Sequence, residues 1–392
     1  MPPHRQDIAM ASSRRRSLVP LAAFGALLLA APAIAQMVPE PELLATPQGE
    51  CGPGSRPETG LQGQVSQEDH DSGLAAQGIT CNTEMVGSFT SAILPLDTIG
   101  SIGGFKTHRY VDAAGNECAY YDSSLLFPTN VADQEGGVIV LDMADPSNPV
   151  NTATLRTPGM QQMHESLVIS SERGILAGIT ALVETAQGIL DLYDLTQDCR
   201  NPTLISTTPL PVLAHESGLS PDGNVFWAAS TSTDYIFAVD ISDALLPTVI
   251  YQSNFGSHGI NIGDDGSRTY LSQSGAGLMI LDTTEVQDYV DKAATPVLDA
   301  DVVTGLLDGP GSSGAPQVTQ IAKLDWSSRS IPQNSVPFSS NGGKYLMEVD
   351  EFGSCEEVGA ARIIDINDET NPFVLSNLRL EVHDPANFDA VC

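Results

Sequence analysis

Basic residues are scarce in this 392-residue chain: 17 lysines and arginines stand against 49 aspartates and glutamates, for a formal net charge of −32. A surface so acidic repels phosphate backbones and anionic lipid headgroups, which excludes nucleic acid and membrane surfaces as partners. After residue 35 no apolar run is long enough to cross a bilayer. Also absent are a phosphate-cradling glycine loop of the GxxxxGK(S/T) type, a paired CxxC and a CxxCH. Their absence removes the P-loop, zinc-ribbon and c-type haem readings.

The first residues have the form of an export signal. Arg14, Arg15 and Arg16 precede an apolar run from Leu18 that closes on the small-residue pattern Ala33-Ile34-Ala35. That is a charged region, an apolar region and a cleavage site in the required order. Residues 1–35 are therefore expected to be removed, by the general secretory route or the twin-arginine route that Ser13-Arg14-Arg15 approximates. The mature chain is expected to be soluble and periplasmic or secreted. Six cysteines in an oxidising compartment imply disulfides. They allow 15 pairings, of which Cys51–Cys81, bracketing a Gly-, Pro- and Ser-rich stretch, is the expected local one. Cys118, Cys199, Cys355 and Cys392 are left unmatched.

Residues 36–100 lack periodicity, apart from a lead-in strand near Met85 to Leu96, and residues 101–392 repeat. A short apolar strand ending in aspartate recurs at Asp142, Asp194, Asp240, Asp282 and Asp365. A proline follows most of them seven or eight residues later, at Pro149, Pro202, Pro247 and Pro372. Between these units lie hairpin signals such as Pro221-Asp222-Gly223 and Asp264-Asp265-Gly266. The period is four strands, and four-stranded units repeated at this length are blades of a β-propeller. The expectation is an all-β fold of about six to seven blades. Asp365 to His383 matches the spacing Asp240 to His258, so His383 should open a last blade, left incomplete at Cys392. An insertion is expected at about 283–331, helical from Thr283 to Ala294 and a long surface loop from Leu307 to Ile331.

The phrases Gly137-Val138-Ile139-Val140-Leu141-Asp142 with Asp145-Pro146-Ser147-Asn148-Pro149, and Ala238-Val239-Asp240-Ile241-Ser242, resemble the LVIVD-repeat family of bacterial exported β-propellers. The resemblance spans roughly residues 105–392. It implies a propeller fold and an exported location, without an assigned activity. The Gly- and aromatic-based signatures of WD repeats are missing.

The histidines are the unusual signal. His108, His164, His215, His258 and His383 share one register, just ahead of each innermost strand, and the blade with the insertion offers Asn334 or Ser335 instead. Equivalent positions in a propeller lie at equal radius and height, so these imidazoles should ring one channel mouth. Neutral imidazole suits copper, zinc or iron, with calcium ranking below them because it prefers oxygen donors. Glu165 and Glu216 follow two of the histidines and could orient them or act as bases. The competing reading is that each histidine pins its own turn, copied from blade to blade. Trp227 reads as core, and the repeated aspartates as caps on strand ends. Two functions follow: a binding or scaffold propeller for a protein or glycan partner, or a metal-dependent enzyme, for instance an oxidoreductase, built on the histidine ring.

Overall fold

The computed structural model describes residues 41, 44–89, 105–123, 136–161, 163–180, 188–210, 214–230, 235–293, 315–326, 330–351 and 359–387. Among these residues twenty strands fall into five antiparallel sheets of four, each in simple up-and-down order. The first sheet holds β1 (Thr107–Val111), β2 (Glu117–Asp122), β3 (Val138–Asp142) and β4 (Val150–Leu155). The second holds β5 (Val168–Ser170), β6 (Ile175–Ile179), β7 (Gly188–Asp194) and β8 (Thr203–Leu210). The third is β9 (Glu216–Leu219), β10 (Val225–Ser230), β11 (Tyr235–Asp240) and β12 (Thr248–Ser253). The fourth is β13 (Gly259–Ile262), β14 (Arg268–Ser272), β15 (Gly277–Asp282) and β16 (Thr319–Asp325). The fifth is β17 (Pro332–Ser340), β18 (Gly343–Asp350), β19 (Ala361–Asp365) and β20 (Phe373–Leu378). These are the blades of a β-propeller.

Period-2 alternation gives each inner blade two apolar faces, and the core lies in the seams between blades. On β10, Phe226 and Ala228 pack with Ile179, Leu190 and Leu192 of the second blade. Their neighbours Val225, Trp227 and Ala229 pack with Leu271, Met279 and Leu281 of the fourth. Trp227 is buried, as core. Tyr120 and Val140 meet Leu167 and Leu176 across the first seam, and Ile280 and Leu324 meet Leu346 and Ile364 across the last.

The recurring aspartates shape the outer turn of every blade. The side chains of Asp142, Asp194, Asp240, Asp282 and Asp365 each accept the backbone N–H two residues on, at 2.8–3.0 Å. This Asx turn redirects the chain as it leaves the third strand. One or two residues before each of these aspartates the third and fourth strands share a β-bulge, in all five sheets. It increases the local twist that lets blades stack radially.

Five four-stranded sheets form among the described residues. Two expectations change. His383 does not open another blade: it ends a 3-10 turn, Glu381–His383, followed by a second at Pro385–Asn387. Asp384 carries that turn, its carboxylate accepting from Ala386 N and its carbonyl from Asn387 N at 2.8 Å each, and Pro385 has no N–H to offer a ladder. The chain there is tied to the N-terminal segment through Thr46 N–Arg379 O (2.7 Å) and Val382 N–Gln62 O (3.2 Å). Finally, the stretch read as a surface loop from Leu307 to Ile331 contains β16, the outer strand of the fourth blade. The insertion thus lies between the third and fourth strands, and its helix, Thr284–Ala293, sits on the core through Val286, Tyr289 and Val290.

The segment 44–89 carries two short helices, α1 (Gln67–Asp71) and α2 (Leu74–Gln77), with a Ser66–Asp69 capping box on the first. Cys51 and Cys81 are joined, as expected. Cys118 of β2 is joined to Cys199 beyond β7, which staples the first blade to the second. Cys355, Cys392 and the export signal lie outside the described residues.

Candidate metal centre

The innermost strands β5, β9, β13 and β17 start at one end of the molecule, and three histidines stand at their entrances. His215 and His258 are each fixed by a backbone N–H donated to the second strand of their blade, to Ala229 O at 2.6 Å and Ser272 O at 2.7 Å. His164 reaches the same place differently. Its φ is +50°, in the left-handed region that a residue with a Cβ rarely adopts. The loop is anchored by Ser166, whose hydroxyl donates to Ile179 O (2.5 Å) and accepts from Ile179 N (3.1 Å). The turn breaks strand alternation, so that consecutive residues His164 and Glu165 both enter the axial cluster.

The donor atoms converge. His215 Nε2 lies 2.9 Å from His258 Nε2 and 3.2 Å from Glu165 Oε2. Glu165 is 3.9 Å from His164 Nε2 and 4.0 Å from His258 Nε2. One donor each from His164, Glu165 and His215 fall within 4.8 Å of one another. For comparison, donors 2.0–2.1 Å from a tetrahedral ion are about 3.3 Å apart. The Nδ1 of His258 faces Pro332 O at 3.1 Å. With the Nδ1–H donating there, the Nε2 lone pair points into the cluster, the orientation a metal-ligating imidazole needs. Gln333 donates to Glu165 Oε2 at 2.6 Å from the fifth blade. That blade comes close because Gly259, next to His258, lies against the carbonyl of Gln333 where no Cβ would fit.

Burial and mutual charge set the protonation states. Burial brings His164 down to about 4, with Glu165 opposing it and His215, His258 and Lys106 adding to it. His258 is lowered by burial and by the neighbouring His215. Burial alone would raise the Glu165 carboxyl, but the hydrogen bond and charge of His215, with His164 and His258 behind them, bring it to about 2. Lowering His164 and His258 while keeping Glu165 ionised favours the protonation states that metal ligation requires of these three groups. The metal-free protein should therefore be acid-sensitive in two steps. His164 binds a proton at 6.5 when unperturbed and at about 4 when folded, so stability is lost as pH falls through that window. Glu165, depressed from 4.5 to about 2, loses its contribution over the lower range. Urea midpoints of chelator-treated protein should fall between pH 7 and pH 4, and His164→Ala should flatten the upper part of that slope.

Of the five histidines in the sequence register, the structure brings together His164, His215 and His258. His108 lies inside β1, and its Nε2 meets Leu167 O at 2.8 Å, pinning the first blade to the second. His383 is in the C-terminal 3-10 turn, its Nδ1 accepting from Leu380 N at 3.0 Å. Glu165, read as an orienting group, touches the imidazoles directly. Glu216 is buried and turned to Lys106, at 2.6 Å. Burial raises its carboxyl, the Lys106 charge partly opposing. Asn334 and Ser335 bond Asn261 and Ser272 between the fourth and fifth blades. Residues without a repeat signature also contribute: Gln333, Lys106, Phe105, whose ring lies 4.2 Å from that of His164, and Glu351, whose Oε2 is 3.7 Å from His258 Nε2.

Fold and site together define a β-propeller with an axial cluster of imidazoles and a carboxylate. No family model matches the chain, and no curated protein matches it. Among solved structures it is similar to the periplasmic gluconolactonase of Pseudomonas aeruginosa, at 12% identity over 69% of this chain and 70% of that one, with a TM-score of 0.46. A Kuenenia stuttgartiensis hydrazine synthase aligns at 13% identity over 74% and 69%, with a TM-score of 0.43. A Lactobacillus plantarum protein aligns at 13% over 69% and 70%, with a TM-score of 0.42. At these identities and scores the likeness says nothing about chemistry.

Proposed function

We propose that this chain is an exported, LVIVD-type β-propeller that binds one transition-metal ion at its axis and uses it in a metal-dependent reaction. The observation that carries this reading is the convergence of His164, His215, His258 and Glu165. Pinning requires an imidazole to bond a backbone group of its own or a neighbouring blade, as His108 does with Leu167 O and His258 Nδ1 with Pro332 O. Beyond that, His215 and His258 turn their Nε2 atoms toward one another, and both face Glu165 of the second blade. In the short contact between the two rings one Nε2–H donates to the other Nε2, and a cation displacing that proton would be held by both nitrogens. Imidazole-rich donors with one carboxylate suit zinc, copper or iron. This cluster favours the metal-dependent reading over a scaffold for a protein or glycan partner. A periplasmic or secreted location is supported by the two disulfides and by the form of residues 1–35.

Elemental analysis of protein purified without chelator or affinity tag should find close to one equivalent of zinc, copper or iron. The combined variant His164→Ala, His215→Ala and His258→Ala should contain none. Equal metal in both proteins, or none in either after reloading with each ion, would refute the assignment.

A further inference from the structure

The second, third and fourth blades each bring a histidine to the axis, and the fifth brings none. What it brings instead is Glu351, immediately after β18. The backbone of Glu351 is held by an N–H donated to Ile331 O at 2.7 Å, so its starting point is as fixed as those of the histidines. Its Oε2 lies 3.7 Å from His258 Nε2, inside the 2.9–4.0 Å spread of contacts within the cluster. Its setting is nevertheless different. The Glu351 side chain is 45% exposed, whereas those of His164, Glu165 and His258 are 12% exposed or less. Glu165 is held from two further sides, by Gln333 and His215. Among the described residues, the histidine contact of the Glu351 carboxylate within 4.0 Å is with His258 alone.

We propose that Glu351 is the exchangeable ligand of this centre, resting on the metal reading above. It closes the coordination shell from the solvent side and gives way to an incoming anionic donor, such as a carboxylate. Glu165 cannot play this part, because leaving the ion would strand a buried charge between Gln333 and His215. Glu351 can swing into water at little cost, since half of it is already there. An open or openable position is what separates a metal site that reacts from one that only staples. An anion fits this position because it restores the charge that the departing carboxylate removes.

The test uses cobalt(II) as a spectroscopic ion in the full-length protein, with azide as the probe anion. Glu351→Gln should change the visible d–d bands of the cobalt protein. It should also weaken cobalt by about tenfold and tighten azide by a similar factor. Glu351→Asp, with a shorter reach, should fall between wild type and Glu351→Gln, and it serves as the working variant if the glutamine form folds poorly. Identical cobalt spectra and azide affinities across the three proteins would overturn the role of Glu351 while leaving the metal centre intact. Failure of the wild type to take up cobalt, zinc or copper would overturn the metal reading itself, and this proposal with it.

Discussion

Zinc should raise the thermal midpoint of the wild-type protein, and His215→Ala should erase that rise. An ion that binds only the folded chain stabilises it by RT ln(1 + [L]/Kd), about 4 kcal/mol at a thousandfold excess over Kd. His215 is the middle donor: its Nε2 lies 2.9 Å from His258 Nε2 and 3.2 Å from Glu165 Oε2. Removing it takes away a ligand and also the group that holds the other two together. Changing a residue that merely orients a ligand costs roughly 10–100-fold in affinity; loss of His215, which contacts two other donors, should exceed about 100-fold, unlike loss of the exposed, exchangeable Glu351. The metal-free variant should be only slightly weaker than metal-free wild type, by about 0.5–1.5 kcal/mol for a lost hydrogen bond. His108→Ala supplies the contrast. It removes the bond to Leu167 O between the first two blades, so it should lower the midpoint with or without zinc and leave the zinc-dependent rise in place. Differential scanning calorimetry on the three proteins, each with zinc and with chelator, reads both effects. A midpoint indifferent to zinc, copper and iron in the wild type would leave the imidazoles as turn pins.

The contrast between His108 and His215 also marks how far sequence reasoning reaches. Repetition made the blades legible, because each aspartate is needed for the same Asx turn and its spacing to the proline repeats with the turn. The same repetition located the histidines, but register alone does not separate a pin from a cluster member. His108 sits inside a strand and faces the next blade, while His164 needs a left-handed φ that no local sequence pattern announces. His383 keeps the spacing yet lies in a 3-10 turn, where Asp384-Pro385 favours a turn over a strand. Glu351 and Gln333 left no trace because each appears once, from the one blade without a histidine. Cys118–Cys199 was equally hidden, since a separation of 81 residues becomes a contact only when two blades stack. The outer strand β16 was masked by the Gly-, Ser- and Pro-rich stretch that precedes it.

Arg362→Ala should be among the most damaging single changes in the molecule. Arg362 stands on β19 opposite Glu348 of β18, within the sheet that carries Glu351. Its Nη1 lies 3.1 Å from Glu348 Oε2 and 2.6 Å from Asp350 Oδ2, and its guanidinium lies over the Trp326 ring at 4.7 Å. The three charged side chains are all but fully buried in the seam between the fourth and fifth blades. Truncating the arginine leaves two carboxylates in that seam without their shared cation, and breaking a buried pair in this way costs about 3–5 kcal/mol. Arg362→Lys should recover only part of the loss, because an ammonium can bridge the carboxylates but cannot lie flat on the indole. Replacing Arg362, Glu348 and Asp350 together by leucine or methionine should cost less than Arg362→Ala alone, because these three charges leave together. Urea unfolding at pH 7 orders the variants. The triple variant proving worse than Arg362→Ala would show that the cluster contributes net stability, rather than a penalty that appears only when it is broken. The seam also bears on the axis: Asp350 adjoins Glu351, so Arg362→Ala should loosen the fifth blade where it meets His258 and weaken metal binding, whereas the apolar triple variant should retain it.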